Sequence, residues 1–341
     1  MTGSAHLPAA VTVLSLDLGG TQIRAAVITP DGDCLGRLAV ATPHAGGVEA
    51  VFAASAELLQ RVAAGLTPEN RARLGAIGIS SMGPVDPWRG TIVDPPNVPA
   101  LRNAPLADEL EKRIGLPAYL DKDTNVAAMA ENWLGAARGC GDFMYVTVST
   151  GLGGSIWTGG RLILGPDGTA GEIGHTSLML EGGPRCGCGG YGHLEAIASG
   201  SGLARAAAES LGDSESAFLA ARAQVRPLTG RDVAEGELAG DAKCTWLMER
   251  ARRAFAVACV GWVDGFNPDL IVVGGTLAEK QGERWLQPAR DEVAATAFRK
   301  AAGRVRIVAA QLGDDVGLVG AWPLVAARHG IPEWRERRRL G

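Results

Sequence analysis

Two cysteines and two histidines stand close together in a glycine-rich stretch: Cys186, Cys188 and His193 in RCGCGGYGH (185–193), and His175 in the preceding AGEIGH. Two thiolates and two imidazoles form a four-ligand set that suits tetrahedral Zn²⁺, and with all four positions taken by protein the metal would be structural. A redox pair would need a strained CxC disulfide, and a metal-free flexible loop is the third reading. A second group of residues suits anions. DLGGT (17–21), STGLGG (149–154) and GGT (274–276) each place small residues after an apolar run, where backbone amides can approach phosphate. In the first, Gly19, Gly20 and Thr21 would hold the phosphate while Asp17 faces a hydrated Mg²⁺; a plain hairpin turn is the alternative. A third group is DKDTN (121–125), whose Asp121 and Asp123 offer either an acid–base carboxylate or a helix cap.

The elements that must position these groups alternate between strand and helix, which argues for an α/β fold. VTVLSLDLGG and TQIRAAVIT form a hairpin with Asp17 at its corner. Residues 50–64 and 104–115 read as helices, the second with Pro near its start and Gly115 past its end. Strands are expected at 74–80, 116–123, 142–150, 270–275 and 304–310, those at 74–80 and 270–275 buried. Thr124 or Asp123 would cap the helix that follows DKD, 199–260 reads as mostly Ala-rich helix, and the last helix runs from about 316 to 328.

The 341 residues suggest two domains. A net charge of −4, from 33 basic and 37 acidic residues, leaves no footprint for nucleic acid or an anionic membrane, so a small-molecule partner is expected. The basic run Arg335–Arg339 reads as a solvated helix end. No apolar run approaches membrane-spanning length and the N-terminus has no signal-peptide pattern, which predicts a soluble, cytoplasmic protein. The six cysteines do not look like a disulfide framework.

LSLDLGGTQIRAAVI, VSTGLGGSIWTGG, AGEIGH and CGCGGYGHLEAIASG together resemble the ROK family of sugar kinases, within the actin-like ATPase superfamily, over about residues 11–328. The resemblance implies two ribonuclease-H-like α/β domains flanking an interdomain cleft that binds ATP and sugar. The small domain would comprise 1–122 plus 315–341, and the large one 123–314 with the zinc loop. It further implies that Asp17, Gly19, Gly20, Thr21, Thr150, Gly151, Gly153 and Gly154 serve the phosphates and Mg²⁺, with Gly274 and Gly275 on the adenosine side. Asp123 becomes the general base and a sugar ligand, joined in sugar binding by Asn97, Glu172, His175 and Glu195. His175, Cys186, Cys188 and His193 become the zinc ligands.

Three departures from the family pattern stand out. Ser149 replaces a common Gly, His193 replaces a third Cys, and Lys122 replaces the Asn that usually contacts sugar. The implied activity is an ATP:hexose 6-phosphotransferase of the glucokinase kind, acting as a homodimer. Kinases for N-acetylated or other amino sugars, fructokinase or mannokinase activity, and a non-catalytic sugar sensor are the alternatives. The family's repressors carry an N-terminal helix-turn-helix, for which about ten residues ahead of the first strand leave no room.

Overall fold

The structure, a computed structural model, describes residues 11–95, 98–213 and 216–329. Asn97 and the Arg335–Arg339 run therefore lie outside the described residues. Within them the chain forms two compact units. The first takes the chain up to Gly139, the segment Leu164–Ala170 and the chain from Leu312 onward; the second takes Cys140–Ile163 and Gly171–Gln311.

The first unit holds strands β1 (Thr12–Leu18), β2 (Gln22–Ile28), β3 (Cys34–Ala41) and β4 (Leu74–Ser81), the short hairpin β5 (Val85–Asp86) and β6 (Thr91–Ile92), and β7 (Ala118–Lys122). Its main sheet runs β3-β2-β1-β4-β7, antiparallel across the first three strands and parallel from β1 onward. All of β1 is buried, so both faces are covered. Leu14, Leu16 and Leu18 share one face and join Leu58 and Leu59 of the helix Gly47–Ala64 and Leu110 of the helix Leu106–Ile114 in one core cluster. Alternation sends Ser15 and Asp17 to the other face. There Ser15 Oγ donates to Leu318 O at 2.8 Å.

The second unit repeats the plan with β8 (Phe143–Val148), β9 (Leu152–Thr158), β10 (Arg161–Leu162), β11 (Leu270–Gly274) and β12 (Arg306–Ala309), ordered β10-β9-β8-β11-β12. Again the first three are antiparallel and the rest parallel. Met144, Val146, Val148, Ile271 and Val273 share a core cluster with Phe255 of the helix Ala242–Phe266 and with Trp285 of the helix Glu283–Thr296. Two five-stranded sheets of one order in succession are the paired ribonuclease-H-like plan that the four motifs imply.

Three details differ from the expectations. The stretch 199–260 is divided, because Ser199, Ser216 and Asp241 accept the amides of Gly202, Leu219 and Cys244 and so begin separate helices. The last helix breaks into Val316–Val319 and Ala321–Arg328 at Gly320, where a Cβ would lie 2.2 Å from Val126 O. The helix Asp123–Trp133 groups with the first unit, so the chain leaves that unit at Gly139 instead of residue 122. Residues 124–131 of this helix are all buried, packed on β4, β7 and the two C-terminal helices, and Leu312 N donates to Glu131 Oε1 at 3.0 Å. Among the described residues no helix is long and apolar enough to cross a membrane.

Candidate active site and metal centre

In the first unit the β1–β2 corner carries the predicted phosphate residues. Gly19 N donates to Gln22 O at 3.0 Å and Thr42 Oγ1 to Gly19 O at 2.8 Å, which fixes the turn from both sides. Gly20 is half-buried and Thr21 exposed. Asp17 lies directly opposite Arg24 in the hairpin register. Its Oδ2 accepts from Arg24 Nε at 3.0 Å and from Arg24 Nη2, while Arg24 Nη1 donates to Asp314 O at 2.7 Å. A Cβ on Gly317 would come within 3.1 Å of all three terminal atoms of the carboxylate, so the C-terminal segment closes on Asp17 only because that residue is glycine. With one oxygen held by a guanidinium, Asp17 suits the water shell of a hydrated cation better than direct ligation. The hairpin register was the sequence signal for Arg24, since pairing Leu18 with Ile23 puts residue 17 across from residue 24.

The two carboxylates of DKDTN separate by burial. Asp121 is fully buried at the end of β7, accepting from Lys122 N at 2.7 Å and Asn125 Nδ2 at 2.8 Å, and it is ion-paired with buried Arg328. Those partners occupy it structurally. Asp123 is exposed, and its Oδ1 accepts from Thr124 N at 2.7 Å. It is the first helical residue, with Lys122 in the N-cap position, so neither Asp123 nor Thr124 is the cap. A carboxylate there lies in the first turn, at the positive end of the helix dipole. Lys122 does not face solvent: only 5% exposed, its stem runs so near Gly83 that a Cβ there would sit 3.3 Å from Lys122 Cδ.

In the second unit Ser149, Thr150 and Gly151 form the turn between β8 and β9, with Ser149 N donating to Gly151 O at 2.9 Å. Gly153 and Gly154 lie inside β9, beyond the turn. Gly154 has a packing reason to be glycine, since a Cβ would meet Ile173 Cδ1 at 2.4 Å. That contact seats the short helix Ile173–His175, which carries His175 next to Glu172. Gly274 ends β11, and Gly275, with φ +90°, turns the chain into the helix Thr276–Gln281. A side chain on Gly275 would press on Thr147 and Val148, so this turn lies against the end of β8.

The cysteine–histidine residues meet. One ligand atom from each of His175, Cys186, Cys188 and His193 lies within 4.8 Å of every other. Cys186 Sγ is 3.6 Å from His175 Nδ1, and Cys188 Sγ is 3.3 Å from His193 Nδ1. Tetrahedral Zn²⁺ with these ligand types needs edges of about 3.3–3.8 Å, so the donor set fits the ion with small adjustments. The loop is shaped by its backbone: Leu178 N donates to Gly192 O, Leu194 N to Thr176 O, and Cys186 N to Gly190 O. Cys186 is buried and Cys188 exposed. Burial pushes the Cys186 thiol up to about 11, so a metal would have to displace its proton. His175 Nε2 faces away from Cys186, 3.8 Å from Glu172 Oε2. Glu195 lies just past His193; its Oε2 accepts Leu152 N at 3.0 Å and its Oε1 is 3.6 Å from Cys186 Sγ.

A family model described as "ROK family" matches residues 13–328. The chain belongs to the ROK family. It is 31% identical over 319 residues to a glucokinase of Thermotoga maritima, covering 93% of this chain and 98% of that protein. It is 32% identical over 311 residues to an N-acetylmannosamine kinase of Escherichia coli, covering 91% of this chain and 97% of that one. Among solved structures it resembles a ROK family glucokinase from Streptomyces griseus in complex with glucose and AMPPNP, with a TM-score of 0.73 and 32% identity over 91% of this chain and 97% of that one.

Proposed function

We propose that this ROK protein is an ATP-dependent hexose kinase that phosphorylates the 6-hydroxyl, with glucose as its first-choice substrate. The observation that carries the assignment of the base is the contrast within DKDTN: Asp121 is buried in an ion pair, which leaves exposed Asp123 to accept the hydroxyl proton. Glu172, His175 and Glu195 bind sugar hydroxyls, and Asn97 is a further sugar ligand. The turns at Gly19–Thr21 and Thr150–Gly151, with Gly153 and Gly154 behind the latter, receive the phosphates, and Gly274 and Gly275 adjoin the adenosine. ATP would enter with Mg²⁺, which would neutralise phosphate charge, and Asp17 is the residue that would hold the hydrated ion.

His175, Cys186, Cys188 and His193 hold one structural Zn²⁺. Held by these four residues, a metal would stiffen the segments that carry Glu172, His175 and Glu195, with His175 offering Nδ1 to it and Nε2 to the sugar. We take the protein to be a cytoplasmic homodimer.

A second reading, a kinase for N-acetylmannosamine or another amino sugar, is favoured by the similar identity to relatives of that name, 32% against 31% for the glucokinase, and by Lys122, whose ammonium offers donors where an amide would offer both donor and acceptor. A panel of hexoses and N-acetylhexosamines, with product position fixed by phosphorus NMR, separates the two. Glucose with the highest kcat/KM and a 6-phosphate product supports the first reading; an N-acetylated sugar preferred by tenfold or more replaces it with the second.

A further inference from the structure

The segment that follows the last metal-ligating residue also ties down the phosphate turn. His193 occupies the N-cap position of the helix Leu194–Ala198, and a second helix, Gly200–Glu209, begins after Ser199. Three residues in these nine reach the Ser149–Leu152 turn. Glu195 Oε2 accepts Leu152 N at 3.0 Å, Gly200 N donates to Ser149 O at 2.8 Å, and Ser201 N donates to Thr150 O at 2.9 Å. Glu195 sits so close beneath the turn that a Cβ on Gly151 would be 3.0 Å from its Oε2. Its other oxygen lies against Cys186 Sγ. Thus one carboxylate spans from the cysteine–histidine cluster to a backbone amide of the turn.

Among the described residues these bonds are the main ties on the turn. Apart from its flanking strands, the other hydrogen bond within it is Ser149 N to Gly151 O. A backbone cradle for phosphate works only if its amides are held in place before the ligand arrives, since ordering them on binding would cost affinity. We infer that Glu195 is a positioning residue for the nucleotide phosphates, and that the metal cluster presets the Ser149–Leu152 turn through residues 193–201. This inference rests on the kinase reading. It adds to that reading a metal-dependent nucleotide site, where Glu195 was expected to serve the sugar alone.

The test uses full-length, metal-loaded protein with metal content verified, and measures MgADP binding by calorimetry without sugar. Glu195→Ala should weaken ADP binding tenfold or more. Glu195→Gln, whose amide oxygen can still accept Leu152 N, should stay within about threefold of wild type. Equal ADP affinity in wild type and Glu195→Ala would overturn the inference, whereas no ADP binding by wild type would overturn the kinase reading instead. Because Glu195→Ala can also disturb folding or metal retention, a second measurement uses wild type alone. Amide hydrogen exchange is followed before and after chelation of the metal. Faster exchange at Leu152, Gly200 and Ser201 on chelation is the expected result; unchanged protection there, with loss confined to 175–193, would contradict the coupling.

Discussion

At the scale of single residues, the assignment of the base turns on burial. Asp121 and Asp123 are two positions apart and chemically identical, yet Arg328 and Asn125 take up the first while the second stays exposed. Asp123→Asn should therefore lower kcat by roughly 10²–10⁴-fold with little change in sugar affinity, read by steady-state kinetics beside calorimetry. Removing Arg328 should act on stability instead. Arg328→Met strands a buried carboxylate and should cost about 3–5 kcal/mol, seen as an earlier urea transition of the first unit. At the metal centre, His193→Ala should reduce zinc from one per chain to far below that, measured by elemental analysis, while His193→Cys should retain it because thiolate is an equally good ligand.

At the scale of elements, the helix Gly230–Leu238, which begins against Gly200, is held at its N-terminus by charge. The Arg226 guanidinium grips Asp232 through two hydrogen bonds, of 2.7 and 2.8 Å, and Thr229 adds its amide and hydroxyl. These bonds, Arg226 first, hold the Asp232 carboxyl far below the usual carboxylate range. Ionised Asp232 therefore contributes stability at neutral pH that is lost as pH falls below about 4, where the unfolded chain takes up the proton first. Asp232→Asn should lower the melting temperature at pH 7 and shrink the difference from wild type as pH falls; a constant difference down to acid pH would refute the linkage. The hairpins, the buried strands and the Asp/Gly corners were legible in the sequence because alternation and turn chemistry are local. The division of 199–260 was marked by Ser199, Ser216 and Asp241, polar cap residues masked by the surrounding alanines. What stayed hidden was long-range: Arg328 reaching Asp121 from 207 residues away, and Glu195 reaching Leu152 across 43.

At the scale of the whole molecule, the chain uses one sheet plan twice and places an Asp/Gly or Ser/Gly corner after the first strand of each. That repetition accounts for two of the three glycine-rich stretches that the sequence offers as phosphate sites, DLGGT and STGLGG. Under the proposed function each unit brings groups of its own: Asp17 and Asp123 in the first, and the Ser149–Leu152 turn, Glu172, His175, Glu195 and the cysteine–histidine cluster in the second. Light scattering should give twice the chain mass if the homodimer proposal holds, and the single-chain mass would reject it. Phosphoryl transfer to sugar is the activity on which the proposed function rests. A coupled assay of ADP release from MgATP across the hexose panel measures it directly: sugar-dependent ADP formation by wild type, lost in Asp123→Asn with sugar binding intact, is the expected result. Tight binding of a sugar with no ADP formed from any member of the panel would contradict it.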